Sequence, residues 1–155
     1  MKVLKFGGTS VGTVESLRNV KSIVEGIPGR KVVVVSALGG ITDQLIATAN
    51  LAVKDDVAYL ESYARIVQRH VDVIEGIVPE SRRSDTMDKT RLLLDELANI
   101  YRGVTLLRDL SPRALDIPVS YGARLSSLIT SNIITDATHI EYRIVSKIPT
   151  NDTAP

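Results

Sequence analysis

The sequence predicts an α/β protein organised around parallel strands, and three observations support that prediction. Two short stretches, Lys2–Phe6 and Lys31–Ser36, have the apolar and β-branched composition of strands. A helical pattern of apolar residues lies between them, and a third alternating stretch follows at about 140–146. Because short links join strand, helix and strand, we expect a parallel, right-handed βαβ unit at the start of the chain.

The composition is that of an ordinary globular domain. Of the 155 residues, 44% are hydrophobic and 24% charged, which is enough for a substantial core. Lys and Arg number 19 against 18 Asp and Glu, so the charge balance gives no indication of a nucleic-acid partner. The absence of cysteine excludes disulfides and thiolate metal sites. Without a signal peptide or an apolar run of membrane-spanning length, we expect a cytoplasmic protein with no membrane partner.

The first helix is predicted to begin after Thr13, which is a suitable N-cap, and to end near Gly26, where Pro28 follows. The strand that comes next contains an unbroken run of valines, Val32–Val35. Such a run is typical of a strand covered on both faces, so we expect cover on both sides of the sheet.

A glycine turn, Gly7–Gly12, joins the first strand to the first helix, and Lys5 comes shortly before it. Unpaired backbone N–H groups at a turn and at the positive end of a helix favour an anion such as phosphate. The Walker A loop does not fit, because its lysine would have to stand at Thr13, and the glycine spacing of the dinucleotide fingerprint does not fit either. From spacing alone, an anion site and a turn chosen only for close packing are equally favoured.

A second loop, Ser36–Asp43, follows the second strand. Because the carboxyl ends of parallel strands meet at one edge of a sheet, we expect this loop to face the same pocket as the glycine turn. The hydroxyls of Ser36 and Thr42 also suit turns and helix caps, and the residues alone favour that interpretation. Thr42 or Asp43 is therefore predicted to cap a helix at about 43–53.

The middle of the chain, about 56–108, is helical by its apolar period and shows no evident chemistry. Two long helices are predicted, joined by the polar link Glu80–Ser84 with Asp85 as the next cap, so that they form an inserted antiparallel hairpin. The hairpin would pack on the domain or form an oligomer contact. His70 lies on an apolar stripe without a partner at metal-ligand spacing, so we interpret it as structural, and we interpret Arg82–Arg83 as solvated.

The last part of the chain contains one more helix and one more strand. Ser111 and Pro112 suit the cap and first position of a short turn. A separate helix is predicted at about 122–136, followed by the third parallel strand at about 140–146.

Three separated segments resemble the aspartate kinases of the amino acid kinase family. The first is Lys5–Gly12, which matches an N-terminal signature of that family over eight consecutive residues. The second extends from Val35 to Asp43 and the third from Ser120 to Ser127, in the order of the family. The resemblance implies a three-layer α/β/α amino acid kinase-like fold, incomplete in these residues, with the long helical hairpin inserted.

The same resemblance implies transfer of the ATP γ-phosphoryl group to the β-carboxylate of L-aspartate, with Mg²⁺ bridging the phosphates. It implies that Lys5 is the catalytic cation and that the phosphate side is lined by one run of residues: Lys5, Gly7, Gly8, Thr9 and Ser10. Ser36 and Thr42 correspond to positions that bind aspartate. Ala123 stands where the family carries a glutamate that accepts a hydrogen bond from the substrate ammonium.

Aspartate kinases are much longer than this chain. The resemblance implies that residues 1–155 are the N-terminal portion of the catalytic domain, that the rest of that domain and the regulatory domains are absent, and that the portion alone is inactive. The parent would be a homo-oligomer, either monofunctional or fused to homoserine dehydrogenase. Two alternatives stay open: another amino acid kinase, such as an acetylglutamate or uridylate kinase, and a non-catalytic binding or assembly module.

Overall fold

The computed structural model describes residues 1–140, in which a two-stranded parallel sheet packs against five α-helices. The predicted strand at about 140–146 lies, apart from Ile140, outside the described residues. Within the described part, no helix combines the length and the apolar character required to cross a bilayer. In chain order the elements are β1 (Lys2–Phe6), a 3₁₀ turn (Gly8–Val11), α1 (Val14–Gly26), β2 (Lys31–Val35), α2 (Ile41–Ala52), α3 (Ala58–Ile77), α4 (Glu80–Leu107) and α5 (Pro112–Ile133).

The parallel pairing predicted for the βαβ unit is confirmed, whereas its right-handed crossover stays a prediction. Strands β1 and β2 pair in parallel, from Lys2 opposite Lys31 to Phe6 opposite Val35. Thr13 caps α1 through a capping box in which the Ser16 N–H donates to Thr13 Oγ1 over 3.0 Å and the Thr13 N–H donates to Ser16 Oγ over 2.8 Å.

The prediction that β2 is covered on both faces is wrong for the described part of the chain. Leu4, Phe6, Val33 and Val35 pack against the core, whereas the alternate residues Val3, Val32 and Val34 are 65%, 39% and 46% exposed. The valine run makes both faces apolar, but the described helices cover only one of them. Lys5 alternates with Phe6 and therefore belongs to the open face of the sheet.

Helix α2 begins earlier than predicted. Its N-cap is Gly40, which has a left-handed φ of 82°, and the first helical residue is Ile41. Thr42 and Asp43 consequently lie in the first turn and do not cap the helix. Asp43 still suits that position, because a carboxylate in the first turn interacts favourably with the helix dipole.

The helical hairpin is present, but its predicted link is wrong. The chain turns at Val78 and Pro79, and Glu80–Ser84 already forms the first turns of α4. Asp85 lies inside the helix, where its carboxylate is 2.7 Å from Lys89 Nζ. Proline fixes the φ angle at which a helix can start, and the polarity of the following residues marks an exposed helix face rather than a loop.

The two arginines at the start of α4 are not simply solvated. The Arg82 guanidinium donates to the carbonyls of Asn132 and Ile134, each over 3.4 Å, at the end of α5. The Arg83 guanidinium donates to the Val78 carbonyl over 3.2 Å, at the end of α3. Both therefore satisfy carbonyls that a helix C-terminus leaves unpaired.

The predicted short turn and separate helix in the last part of the chain are one continuous helix, α5. Ser111 caps it, accepting from the Ala114 N–H over 3.2 Å, and Pro112 takes the first position as predicted. Pro118 lies inside the helix and is buried. A proline removes one backbone donor from a helix, and here burial of its apolar ring offsets part of that cost.

Helix α2 is the centre of the core, since it packs against α3, α4 and α5. Two polar contacts support this packing inside the apolar core. Thr48 and Ser62 bring their hydroxyl oxygens within 2.6 Å, and the Tyr101 hydroxyl donates to the Leu45 carbonyl over 3.1 Å. Burial raises the pKa of Tyr101, so its hydroxyl stays protonated as a donor.

We predict that Gly122→Ala destabilises the fold. A Cβ atom on Gly122 would lie 2.7 Å from the Cβ of Ala37, so α5 must move away from the segment after β2. Overpacking of this kind should lower the free energy of unfolding in a urea titration by about 1–3 kcal/mol. The matched control is Gly103→Ala in α4, where an added Cβ meets nothing within 4 Å; it should raise stability by up to about 1 kcal/mol. Equal effects at the two sites would contradict the close approach.

We also predict that His70 makes stability depend on pH. His70 is buried, its Nδ1 is 2.7 Å from the Ile66 carbonyl, and its Nε2 has no partner among the described residues. Burial lowers the pKa of His70 below its ordinary 6.5, which outweighs the hydrogen bond to Ile66. Near pH 6.5 the unfolded chain binds a proton that the folded chain does not. Stability is therefore fully present above that pH and falls below it, by up to about 1.4 kcal/mol per pH unit.

Denaturant titrations at pH 7.5, 6.5 and 5.5, on the unchanged chain and on His70→Gln, measure this effect. The substitution should remove most of the loss between pH 6.5 and 5.5, while any contribution from His139 remains in both proteins. The same pH slope in both proteins would show that His70 is protonated in the folded state.

Candidate functional site

The first loop, Gly7–Gly12, contacts the second loop through backbone atoms. In the structure the second loop is Ser36–Gly40, because α2 already begins at Ile41. The Ser36 N–H donates to the Phe6 carbonyl over 3.0 Å, which extends the pairing of the strands. Beyond it, a Cβ on Gly39 would lie 3.1 Å from Gly12 Cα and 3.2 Å from the Gly8 carbonyl oxygen. A side chain at position 39 would force the two backbones apart by a few tenths of an ångström, so glycine favours this close approach. The loops meet at the carboxyl edge of the sheet, as the sequence predicted.

The third segment, Ser120–Ser127, reaches the same place through α5. Gly122 lies against Ala37, at the start of the second loop, and against Leu45 of α2. The three segments that carry the family resemblance are therefore neighbours in space, although they are far apart in the chain.

Lys5 and two backbone N–H groups are available for an anion at this edge. Lys5 is exposed, and its side chain has no ion pair or hydrogen bond with any described residue. The 3₁₀ turn begins with the Ser10 N–H donating to the Gly7 carbonyl over 3.0 Å, which leaves the N–H groups of Gly8 and Thr9 without an acceptor among residues 1–140. A cation and unpaired amides of this kind suit a phosphate group.

The N-terminus of α1 contributes less to this site than the sequence suggested. Its capping box already uses the N–H groups of Thr13 and Ser16. The N–H groups of Gly8 and Thr9, which have no acceptor among residues 1–140, belong to the 3₁₀ turn, which sequence analysis treated as a simple glycine turn. The donors therefore lie closer to Lys5 along the chain than the helix itself does.

The positions that the family resemblance assigns to the substrate are open at the surface. Ser36, Thr42 and Ala123 are all exposed, and the hydroxyls of Ser36 and Thr42 have no partner among the described residues. Ser36 begins the second loop, Thr42 lies just beyond it in α2, and Ala123 follows Gly122 on α5. These three side chains lie on or next to the second loop, and together they provide two hydroxyl groups and no charged group.

Helix α3 supports the first loop through a residue that sequence analysis missed. The Arg69 guanidinium, partly buried, donates to the carbonyl oxygen of Gly12. Sequence analysis assigned no chemistry to this helix, and no sequence signal links positions 69 and 12, because only the packing of α3 brings them together.

A polar cluster holds the third segment against α4. The Tyr121 hydroxyl donates to Glu96 Oε2 over 2.8 Å, and an Arg124 nitrogen is 3.6 Å from the same oxygen. The Arg124 guanidinium carbon also lies 4.3 Å from the centre of the Tyr121 ring, and Arg124 is only 5% exposed. Burial and the bond to Glu96 raise the pKa of Tyr121, so its hydroxyl stays protonated as the donor. The cluster therefore fixes α5 where it meets the second loop.

The predicted site residues lie on an open surface rather than in a closed cavity. A groove of about 230 Å³ beside the first loop includes Ser10 but none of the other predicted site residues; it is lined by Phe6, Ser10, Ser16, Asn19, Val20 and Ile23. A groove of about 380 Å³ runs along α4 from Glu80 to Arg91 and contains none of them. No group of three or more His, Cys, Asp or Glu side chains suited to a metal ion occurs within residues 1–140.

The chain is similar in sequence to members of a known protein family. The model of the amino acid kinase family matches residues 1–138. Aspartokinase 1, chloroplastic, of Arabidopsis thaliana is 28% identical over 133 residues, covering 82% of this chain and 22% of that protein. The bifunctional aspartokinase/homoserine dehydrogenase 1, chloroplastic, of Zea mays is 27% identical over 133 residues, covering 85% of this chain and 14% of that protein.

Solved structures show the same fold. E. coli aspartokinase III in complex with aspartate and ADP superposes with a TM-score of 0.74 at 27% identity, covering 86% of this chain and 28% of that one. The chain thus spans about a quarter or less of the length of the relatives that it matches. Because the family model matches almost all of the described residues, the chain belongs to the amino acid kinase family.

Proposed function

We propose that the chain is the N-terminal portion of an aspartate kinase, which transfers the ATP γ-phosphoryl group to the β-carboxylate of L-aspartate and so forms 4-phospho-L-aspartate. The observation that carries the proposal is the exposed Lys5, three residues before Gly8; within residues 1–140 its side chain has no partner, and the N–H groups of Gly8 and Thr9 have no acceptor. The aspartate and ADP bound to E. coli aspartokinase III support the choice of ligands.

The proposed reaction needs electrostatic help rather than a general base. A free carboxylate with a pKa of about 4 is already ionised at neutral pH. One of its oxygens forms a bond to the γ-phosphorus while the bond from that phosphorus to the bridging oxygen breaks, and ADP leaves with the electron pair. Lys5 and the free amides of the first loop lower the repulsion between the carboxylate and the phosphates.

The remaining roles follow the positions around the second loop. Ser36 and Thr42 donate hydroxyl hydrogen bonds to the carboxylates of aspartate. Ala123 provides neither acceptor nor charge for the substrate ammonium. Mg²⁺, which prefers phosphate oxygens with one or two carboxylates, supplies charge neutralisation on the phosphates when bound.

We propose that the 155 residues do not turn over by themselves and that the rest of the catalytic domain and the regulatory domains belong to a longer parent. The coverage of about a quarter of the related proteins and the open sheet face at Val3, Val32 and Val34 support this proposal. A homo-oligomeric parent, its fusion to homoserine dehydrogenase and a cytoplasmic location stay predictions.

Ala123 favours a second candidate, a binding or assembly module that holds a passive anion without catalysis. Another amino acid kinase, with an acceptor that lacks an ammonium group, is also compatible with an alanine at this position. Assaying the full-length parent with aspartate, acetylglutamate and uridylate separates the three. Turnover of aspartate supports our proposal, turnover of another acceptor supports a sister kinase, and no turnover supports the module.

We predict that Lys5→Met in the full-length parent lowers kcat by about 100-fold or more, because one preorganised positive charge is lost next to the transferring group. The midpoint of urea unfolding should stay the same, since Lys5 is exposed and its side chain has no partner within the described part of the chain. The matched control is Lys2→Met, which removes an exposed lysine from the other end of β1. It should leave kcat unchanged; equal losses in both variants would contradict a local role for Lys5.

Our prediction for position 123 is a gain of affinity. Ala123→Glu in the full-length parent should lower the KM for aspartate by about tenfold, because a charged hydrogen bond to the ammonium is added. The KM for MgATP should not change. Ala123→Gln, which adds an acceptor without a charge, is the control and should give a smaller gain. An unchanged KM for aspartate in Ala123→Glu would mean that another residue binds the ammonium.

A further inference from the structure

We propose that Arg69, on the helical hairpin, is a positioning residue for the first loop and thereby tunes binding of the nucleoside triphosphate rather than of the acceptor. The ligand assignment rests on the proposed function, whereas the support of the loop does not. The hairpin, which sequence analysis treated as an insertion without chemistry, then takes part in the site through one side chain.

The contact lies at a junction in the backbone. The Arg69 guanidinium donates to the carbonyl oxygen of Gly12, which directly follows the 3₁₀ turn and precedes the N-cap Thr13. Fixing this carbonyl therefore fixes the end of the turn and the start of α1 together. Glycine has little intrinsic preference for one backbone conformation, so without the contact this peptide can reorient more easily.

Two further contacts hold α3 beside the loop. The Arg18 guanidinium donates to the Gly76 carbonyl over 3.3 Å. A Cβ on Gly76 would lie 2.7 Å from Val14 Cγ2, so α3 and the first turn of α1 are in close contact. Arg69 therefore extends from a helix that is itself held against α1 and is not a mobile surface side chain.

The charge of Arg69 also favours an anion nearby. No acidic side chain pairs with Arg69 among residues 1–140, whereas Arg65, one turn earlier on α3, lies 2.8 Å from Glu61. The Arg69 guanidinium contacts the end of the first loop, so its positive charge raises the electrostatic potential at the N–H groups of Gly8 and Thr9. The substrate hydroxyls lie elsewhere, at Ser36 in the second loop and at Thr42 in the first turn of α2, so the effect should fall on the phosphate side.

The first test does not depend on enzymatic activity. We expect Arg69→Gln in the 155-residue chain to increase hydrogen–deuterium exchange of the hydrogen-bonded amides of Ser10 and Thr13 by about tenfold, because a charge-assisted hydrogen bond that holds this segment is lost. Exchange in α2 should not change. Arg69→Lys keeps the charge and can still donate to the carbonyl, so its exchange rates should lie between those of the unchanged chain and those of Arg69→Gln. Arg65→Gln removes an exposed arginine from the same helix and is the matched control, with no expected change.

The second test is kinetic and uses the full-length parent. Arg69→Gln should raise the KM for MgATP by about tenfold while the KM for aspartate and kcat stay within about twofold, and Arg69→Lys should restore part of the affinity. Unchanged exchange of the Ser10 and Thr13 amides, or an equal rise in both KM values, would overturn the proposal. If the parent does not phosphorylate aspartate, the proposed function fails, and the exchange experiment still decides whether Arg69 supports the loop.

Discussion

The close approach of two glycine loops is the constraint on which the rest of the structure depends. Gly8 and Gly12 in the first loop and Gly39 in the second leave so little space that a single added carbon at position 39 would lie 3.1 Å from a backbone atom. This contact is possible because β1 and β2 run in parallel and release both loops at the same edge. The N–H groups of Gly8 and Thr9 and the hydroxyl of Ser36 therefore belong to two loops that lie against each other.

Local chemistry made much of this arrangement predictable. The βαβ unit, the Thr13 cap and the meeting of the two loops follow from strand composition, capping preferences and the geometry of parallel sheets. The errors have specific causes. Polarity at Glu80–Ser84 indicated a loop, but these residues form the exposed face of α4. A short turn and a separate helix were predicted, yet α5 continues from Pro112 to Ile133 with the buried Pro118 inside it.

The contacts that position the site could not be predicted in the same way. Arg69 lies 57 residues from the carbonyl that it binds, and Glu96 lies 25 residues from Tyr121. Neither pair has a spacing rule, because each depends on how α3 and α4 pack around α2. The roles of Lys5, Ser36, Thr42 and Ala123 came from family resemblance, and the structure adds that all four residues are exposed.

The uncovered sheet face has a consequence for the chain in isolation. The sheet face that includes Lys5 carries three exposed valines, Val3, Val32 and Val34. In the described sheet, β1 and β2 each also have one unpaired outer edge. Exposed strand edges and apolar surface favour intermolecular pairing and aggregation. A sample of these residues alone is thus prone to self-association at high concentration through this sheet.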